Sequence, residues 1–322
     1  MRLQGKRVVV TGAGGFVGSA VVEVLKETDC RLVRVARGPL PPLRDCRAEV
    51  IDVAGDLREP STWRRALEAA DVVIHLAAQT SASAAQAAPA ADFEANVVPV
   101  LQLLEVCRAS GNRPAVLFAG TVTQAGVPLR TPVDESHPDH PATVYDEHKL
   151  AAENQLKLHA ARGHVRGATL RLANVYGPGP RSRSPDRGIL NAMVRRALAG
   201  EPLTVFGSGA YVRDYLYVLD AARAFVAAAA AIERLNGGHW VIGSGEGHTI
   251  EDSFNLVAAR AAARTGRRVA VERVAAGAPL SALETRNFIA DASRFRAATQ
   301  WRPLCALQEG IDRTIEASLC AS

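Results

Sequence analysis

Thr11-Gly12-Ala13-Gly14-Gly15-Phe16-Val17-Gly18 follows the β-branched run Val8-Val9-Val10 and precedes residues 20–26, whose apolar spacing is helical. Strand, glycine turn and helix start, in that order, make a cradle for phosphate. One glycine permits the tight turn, a second lets backbone approach a pyrophosphate, and a third lets helix and strand pack closely. The free N–H groups and partial positive charge of the helix start then favour the anion. Gly12, Gly15 and Gly18 are each three apart, a GxxGxxG spacing rather than GxGxxG.

Working outward, short apolar runs recur at 32–35, 48–52, 72–76, 115–118, 168–172 and 239–242. Helical spacing separates many of them, notably at 95–110, 143–162, 190–199 and 220–234. Buried strands alternating with helices predict an α/β fold, a Rossmann-type doubly wound parallel sheet with helices on both faces. The Pro/Arg/Ser-rich stretch 177–188 reads as a loop, and beyond it the sheet pattern thins. We therefore expect a dinucleotide-binding domain at 1–175, completed by about 214–245. A smaller C-terminal substrate-binding lobe is expected from 176–213 and 246–322.

The chain has 322 residues, 48% hydrophobic and 22% charged, so it can bury a full core without disulfide or metal staples. Lysine plus arginine number 38 against 33 acids, a net charge of +5. The charge is scattered, without the like-charge block of a nucleic-acid arm, so no nucleic-acid partner is expected. The five cysteines, Cys30, Cys46, Cys107, Cys305 and Cys320, form no CxxC pair, which predicts reduced thiols in a cytoplasmic protein. No run reaches the ~18–20 apolar residues that span a bilayer, so no membrane partner is expected. No metal-ligand cluster is present either.

Tyr145-Asp146-Glu147-His148-Lys149 places a phenol and an ammonium at i and i+4. On a helix both lie on one face, and a nearby ammonium favours the phenolate, moving the phenol toward the range useful for proton transfer. The fifth apolar run continues Phe118-Ala119-Gly120-Thr121-Val122-Thr123, so it ends in a pair of hydroxyls. After the Tyr–Lys segment comes Arg171-Leu172-Ala173-Asn174-Val175-Tyr176-Gly177-Pro178-Gly179.

With the GxxGxxG turn, these segments resemble the extended short-chain dehydrogenase/reductases, the NAD-dependent epimerase/dehydratase family. The resemblance implies that Thr121, Tyr145 and Lys149 are catalytic. Lys149 would bind the nicotinamide ribose and tune Tyr145. Tyr145 would exchange a proton with the substrate oxygen, which Thr121 orients, with Thr123 as the alternative. It also implies cofactor contacts from Gly12, Gly15, Phe16, Val17, Gly18, Asp56, Leu57, Leu76, Ala77, Ala78, Asn96, Ala173 and Val175. Relatives often pair through two helices, so a homodimer through 95–110 and 143–162 fits the resemblance.

The second strand run ends Val35-Ala36-Arg37-Gly38, without the carboxylate that would accept the ribose hydroxyls of NAD. A guanidinium suits a phosphate dianion, so Arg37 predicts NADP(H). Asp52 competes with Asp56 for the adenine side but lies within the third strand run.

Glu201-Pro202-Leu203-Thr204-Val205-Phe206-Gly207 and Arg213-Asp214-Tyr215-Leu216-Tyr217-Val218 resemble the nucleotide-binding segment of nucleotide-sugar enzymes. The resemblance implies Arg213 on the diphosphate, Phe206 beside the base and Asn174 near the diphosphate or sugar. Arg181, Arg183 and Arg187 add positive potential, with Arg187 and Ser81 also taken as substrate contacts. A second diphosphate arginine, counted back from Ala290-Asp291, falls on Ser281, with Arg286 nearby but out of register.

Sugar 4,6-dehydratases follow the catalytic Thr with Asp-Glu, whereas Val122-Thr123 follows here. The whole chain resembles dTDP-4-keto-6-deoxyhexose 4-ketoreductases of antibiotic deoxysugar pathways. Residues 187–204 and 291–314, the latter with Phe295-Arg296, Trp301-Arg302-Pro303 and Gly310-Ile311-Asp312, carry it beside the motifs above. The expected activity is NADPH-dependent reduction of the C4 ketone of a dTDP-linked keto-sugar. The alternative is an NAD-dependent nucleotide-sugar 4-epimerase, and a non-catalytic NADP-binding scaffold is a third reading.

Overall fold

The computed structural model describes residues 3–180, 188–275 and 281–320. Seven strands run parallel in one sheet: β1 (Arg7–Thr11), β2 (Arg31–Ala36), β3 (Glu49–Ala54), β4 (Val72–His75), β5 (Ala115–Thr121), β6 (Arg166–Leu172) and, later in the chain, His239–Ile242. Their order places the late strand at one edge, then β6, β5, β4, β1, β2 and β3. The chain winds outward from β1 through β2 to β3, then returns to β4 on the other side. The turn of direction between β1 and β4 leaves a crevice at their carboxyl ends, where ligands of doubly wound sheets bind. The expected strands are all present, each within a few residues of its predicted bounds.

Helices cover both faces. On one lies α1 (Phe16–Leu25). The other carries α2 (Pro60–Ala66), α3 (Ala82–Ala87), α4 (Pro89–Asn96), α5 (Val98–Ser110) and α6 (Val144–Ala161). The predicted helix at 95–110 is therefore two elements. Pro99 cannot donate a backbone hydrogen bond, and α5 starts afresh with it in the first turn. α5 ends at Gly111 in the left-handed conformation (φ 69°), as a helix C-terminus favours.

Beyond β6 come β7 (Asn174–Tyr176), α7 (Ile189–Ala199), β8 (Leu203–Phe206), β9 (Val212–Tyr217), α8 (Val218–Ala230) and α9 (Ile232–Leu235), then β10, the edge strand already named. The chain closes with β11 (Gly247–Thr249), α10 (Ile250–Thr265), β12 (Val271–Val274), α11 (Ala282–Thr285), α12 (Ser293–Thr299) and α13 (Leu307–Cys320). β9 pairs with β7 and β11 in a three-stranded sheet rather than joining the main one, and β8 pairs with β12. α8 returns to the main sheet, where its buried alanines at 221, 222, 224, 228 and 229 let it lie close against α1.

Among the described residues, three apolar cores carry most of the packing, and a small fourth gathers Val122, Ala125, Val133 and Phe288 beside the end of β5. Val8, Val10, Leu25 and Phe225 fill the α1/α8 face, while Val9, Trp63, Leu103, Leu104 and Leu156 fill the opposite face. Tyr176, Phe254, Val257, Ile311 and Ile315 fill the smaller C-terminal part. All five cysteines are unpaired, and none of the described helices is long and apolar enough to cross a membrane.

Candidate functional site

The glycine turn is built as its spacing predicts. Gly12 has φ +65°, and a Cβ there would stand 2.8 Å from the backbone nitrogen of Ala77. A Cβ on Gly18 would overlap the carbonyl oxygen of Gly12. Only side-chain-free residues allow β1, α1 and the end of β4 to meet so closely, and the cradle they leave fits a pyrophosphate at the start of α1.

Thr11 locks the two strand ends together. Its hydroxyl oxygen accepts from the amides of Leu76 (3.1 Å) and Ala77 (3.2 Å), and its hydrogen is left for Nδ1 of His75, 2.8 Å away. His75 is therefore neutral with its proton on Nε2. Burial first, and then the charge of Lys149, push its pKa down to about 3.

Lys149 is 2% exposed, and its ammonium stands 3.9 Å from the centroid of the Phe118 ring, which stacks on His75. Burial lowers its pKa to about 7, opposed by Asp92 and Glu153. The carboxylate of Asp92 is spent elsewhere, on Nδ1 of His148 (2.7 Å), the amide of Gln79 (2.7 Å) and the amide of Asn96 (2.9 Å). Lys149 is thus a cation held in a dry site by an aromatic face, one helical turn from Tyr145, which is partly exposed at the start of α6.

Thr121 ends β5, and a short 3-10 turn over Val122–Ala125 follows it. Gln124 accepts from the Thr121 amide (3.0 Å) and donates to the buried carboxylate of Glu153 (3.1 Å). Burial raises Glu153, but hydrogen bonds and charge from Arg171 and then Lys157 hold it down at about 2. Arg171 also grips Asp139 through both carboxylate oxygens (2.5 and 3.0 Å). The strand end that carries Thr121 is therefore anchored to α6 by a buried charged network.

The sequence reading missed Asp146. The strand end lacks acids, as the sequence shows, but α6 brings one to it. The Thr121 and Thr123 hydroxyls are 2.8 Å apart, and Thr123 donates to the Asp146 carboxylate, whose residue is 2% exposed. Burial raises the Asp146 pKa, against hydrogen bonds from Thr123 and Thr143 and the charge of Arg286. Its position next to the tyrosine was the available signal, but nothing in the local sequence shows that the side chain turns toward β5.

The arginine expected near Ala290 is also displaced. Ser281 instead caps α11 in a reciprocal pair with Glu284. Arg286 occupies the place beside Arg213, whose guanidinium donates to the backbone carbonyls of Arg286 and Glu284 (2.6 Å to the latter). Burial lowers Arg213, while burial and the charge of Arg213 lower Arg286 to about 10. The buried Nε of Arg286 has no hydrogen-bond partner among the described residues. Two desolvated guanidiniums with charge to spare make a site for a multiply charged anion.

The remaining expected contacts are distributed as follows. Asp56 pairs with Arg58, chiefly responsible for lowering its carboxyl, and feels the more distant charge of exposed Arg37. Asp52, the competing acid, is held by Arg34 (2.7 Å) inside β3. The Leu57 carbonyl accepts from Trp63 (2.8 Å). Asn96 is buried with its Oδ1 unpartnered among the described residues, so the carboxamide keeps an acceptor to offer. Phe16 and Val17 open α1, and the Ala173 amide bonds the Ile242 carbonyl (2.8 Å). Asn174 and Val175 lie in β7 against Tyr215 and Leu216. Ser81 is buried as the cap of α3, bonding the Ala84 amide (3.0 Å), and Phe206 is 55% exposed at the end of β8. Arg181, Arg183 and Arg187 lie outside the described residues.

Residues 8–243 match the family model described as "NAD dependent epimerase/dehydratase family". The chain belongs to that family. It is similar to a UDP-glucose 4-epimerase of Mycolicibacterium smegmatis, 29% identical over 96% of this chain and 97% of the relative. Among solved structures it is similar to the UDP-glucose 4-epimerase of Thermotoga maritima with UDP-glucose (28% identical, TM-score 0.84, covering 98% of this chain and 99% of that one). It is likewise similar to the Thermus thermophilus UDP-glucose 4-epimerase in complex with NAD (30%, TM-score 0.83, 98% and 100%). The family and the Rossmann-type fold expected from the sequence are thus correct, while the full-length relatives are mainly epimerases rather than ketoreductases.

Proposed function

We propose that this family member exchanges hydride at C4 of a nucleoside-diphosphate sugar, working as a 4-epimerase. The observation that carries the hydride chemistry is Lys149, a desolvated ammonium one helical turn from Tyr145, on the helix that also grips the strand end bearing Thr121. The epimerase direction is supported by relatives of that activity aligned over nearly their whole length.

A nicotinamide dinucleotide held here would take the C4 hydride and then return it. Gly12, Gly15 and Gly18 would cradle its pyrophosphate, and Lys149 with Asn96 would face its ribose side. Tyr145 takes the proton of the C4 hydroxyl and later returns it. Thr121 holds that oxygen by a hydrogen bond. Arg213 and Arg286 hold the diphosphate of the sugar. We assign the dinucleotide to the main sheet and the sugar nucleotide to the smaller part built on β7, β8, β9, β11 and β12.

A second reading is supported by one observation. β2 ends at Ala36 with exposed Arg37 next, and Asp52, the acid competing with Asp56 for the adenine side, is engaged by Arg34. That arrangement suits NADP(H), a dissociable reductant, and with it reduction of a dTDP-linked 4-keto-6-deoxyhexose.

One preparation tests both. Purified protein that carries NAD and equilibrates the C4 epimers of UDP-glucose, without net change in nicotinamide absorbance, supports the epimerase. Stoichiometric NADPH oxidation by a dTDP-4-keto-sugar supports the reductase instead. Absence of both, across nucleotide sugars, overturns hydride exchange at C4.

A further inference from the structure

We propose that Asp146, acting through Thr123, decides whether Thr121 offers its hydrogen or its lone pair to the reacting oxygen of the substrate. The inference deepens the reading above and rests on it for the identity of that oxygen.

The hydrogens along this short wire can be counted. The Thr121 oxygen already accepts from the Thr123 amide (3.2 Å), which leaves it one hydrogen and one lone pair. Its hydroxyl lies 2.8 Å from that of Thr123, which in turn reaches Asp146. When Asp146 is ionised it can only accept. Thr123 must then donate to it, and Thr121 must donate to Thr123. The lone pair of Thr121 is what remains for the substrate, and a lone pair matches an alcohol. When Asp146 carries a proton it can donate to Thr123, and both hydroxyls turn over. Thr121 now accepts from Thr123 and presents its hydrogen, which matches a carbonyl. The proton comes from and returns to solvent, and no other bond changes.

Asp146 is placed to respond. It is 2% exposed, so its charged form is costly, while four groups face it and favour that form. These are the Thr123 hydroxyl from the 3-10 turn, Thr143 at the start of its own helix, the Arg286 guanidinium from the segment after α11, and the Ala142 backbone. Asp146 is a positioning residue, since it touches neither substrate nor cofactor in this account. An acid in the first turn of a helix also stabilises that helix start. Thr123 separates the two roles, because it belongs to a different element and is neither part of α6 nor its cap.

The test is the pH profile of kcat for hydride transfer in the wild type and in Asp146→Asn, Thr123→Val and Thr123→Ser. We expect an inflection in the wild type that both Asp146→Asn and Thr123→Val abolish, with kcat down about tenfold and KM for the nucleotide sugar changed by less than about threefold. Thr123→Ser restores both the inflection and the rate. A wild-type inflection in Thr123→Val overturns the proposal. A substrate-independent readout keeps it separate from the proposed function: titration of the Asp146 carboxyl by ¹³C NMR in the free protein. Thr123→Val should raise that titration, and an unmoved titration overturns the wire even if no nucleotide sugar is turned over. A moved titration in a protein that transfers no hydride would instead sink the functional reading alone.

Discussion

The ammonium of Lys149 stands 3.9 Å over the ring of Phe118, a residue on the same strand as Thr121 and three places before it. The strand thus offers its aromatic face to the cation and, at its end, carries the Thr121 hydroxyl. The charges of Asp92 and Glu153 compensate only part of what burial removes, and the pKa of Lys149 comes down to about 7.

That depression has a pH signature. Below about pH 7 both folded and unfolded chains hold the Lys149 proton. Between about 7 and 10.5 the unfolded chain keeps it and the folded chain has lost it, so stability rises with pH through that window. Lys149→Met removes the group. Melting temperatures of the two proteins should differ most, in favour of the variant, near pH 6, and converge toward pH 10. A difference independent of pH would show that Lys149 is not desolvated as described. The same variant should lose at least about a hundredfold in kcat, as expected for a group that tunes the proton-transfer residue.

Thr11 is the second test of the crevice. Its hydroxyl serves three partners, the Leu76 and Ala77 amides and His75. Thr11→Val keeps the shape but strands two amides and a ring nitrogen at the floor of the glycine turn. We expect a loss of at least about 3 kcal/mol in urea unfolding, since each of the three groups left unpaired costs about 1–3 kcal/mol. Dinucleotide affinity should fall as well. A loss below about 0.5 kcal/mol would mean that water enters and replaces the hydroxyl.

Those two sites were legible to different degrees. Gly12, Gly15 and Gly18 declare the turn because their role is backbone geometry, which spacing encodes directly. Tyr145 and Lys149 declare themselves because a helix fixes which residues share a face. Thr11 was invisible, since its partners come from β4, some 65 residues on. Asp146 was invisible for the same reason, its acceptor role being decided by a turn after β5. Arg286 shows a third kind of failure. Counting from Ala290-Asp291 assumes an unchanged loop, and here the cation reaches Arg213 from a different register. Pro99 split a helix that apolar spacing alone had joined.

Arg286 is open to direct measurement. If it and Arg213 share a diphosphate, Arg286→Ala should raise KM for the nucleotide sugar about tenfold to a hundredfold while kcat changes less, since the interaction is present in both ground and transition states. Calorimetry with UDP and dTDP should show the same loss. Binding of either nucleotide unaffected by the substitution would remove Arg286 from the anion site and leave Arg213 alone there.

Arg37 is the test of the cofactor. An exposed guanidinium at the end of β2 would have no bearing on NAD, which lacks the 2′-phosphate, but would pair with that dianion in NADP(H). Arg37→Ala should therefore weaken NADPH by about tenfold or more and leave NADH within about twofold, a gap that matches the ~1.5–3 kcal/mol of a charge-assisted hydrogen bond. Fluorescence titration of both dinucleotides against both proteins reads the gap directly. If the wild type binds NADH more tightly and Arg37→Ala shifts neither, Arg37 is a solvated surface residue, and the reductase reading loses its one supporting observation. The epimerase reading would then stand on the relatives and on the Lys149–Tyr145 pair.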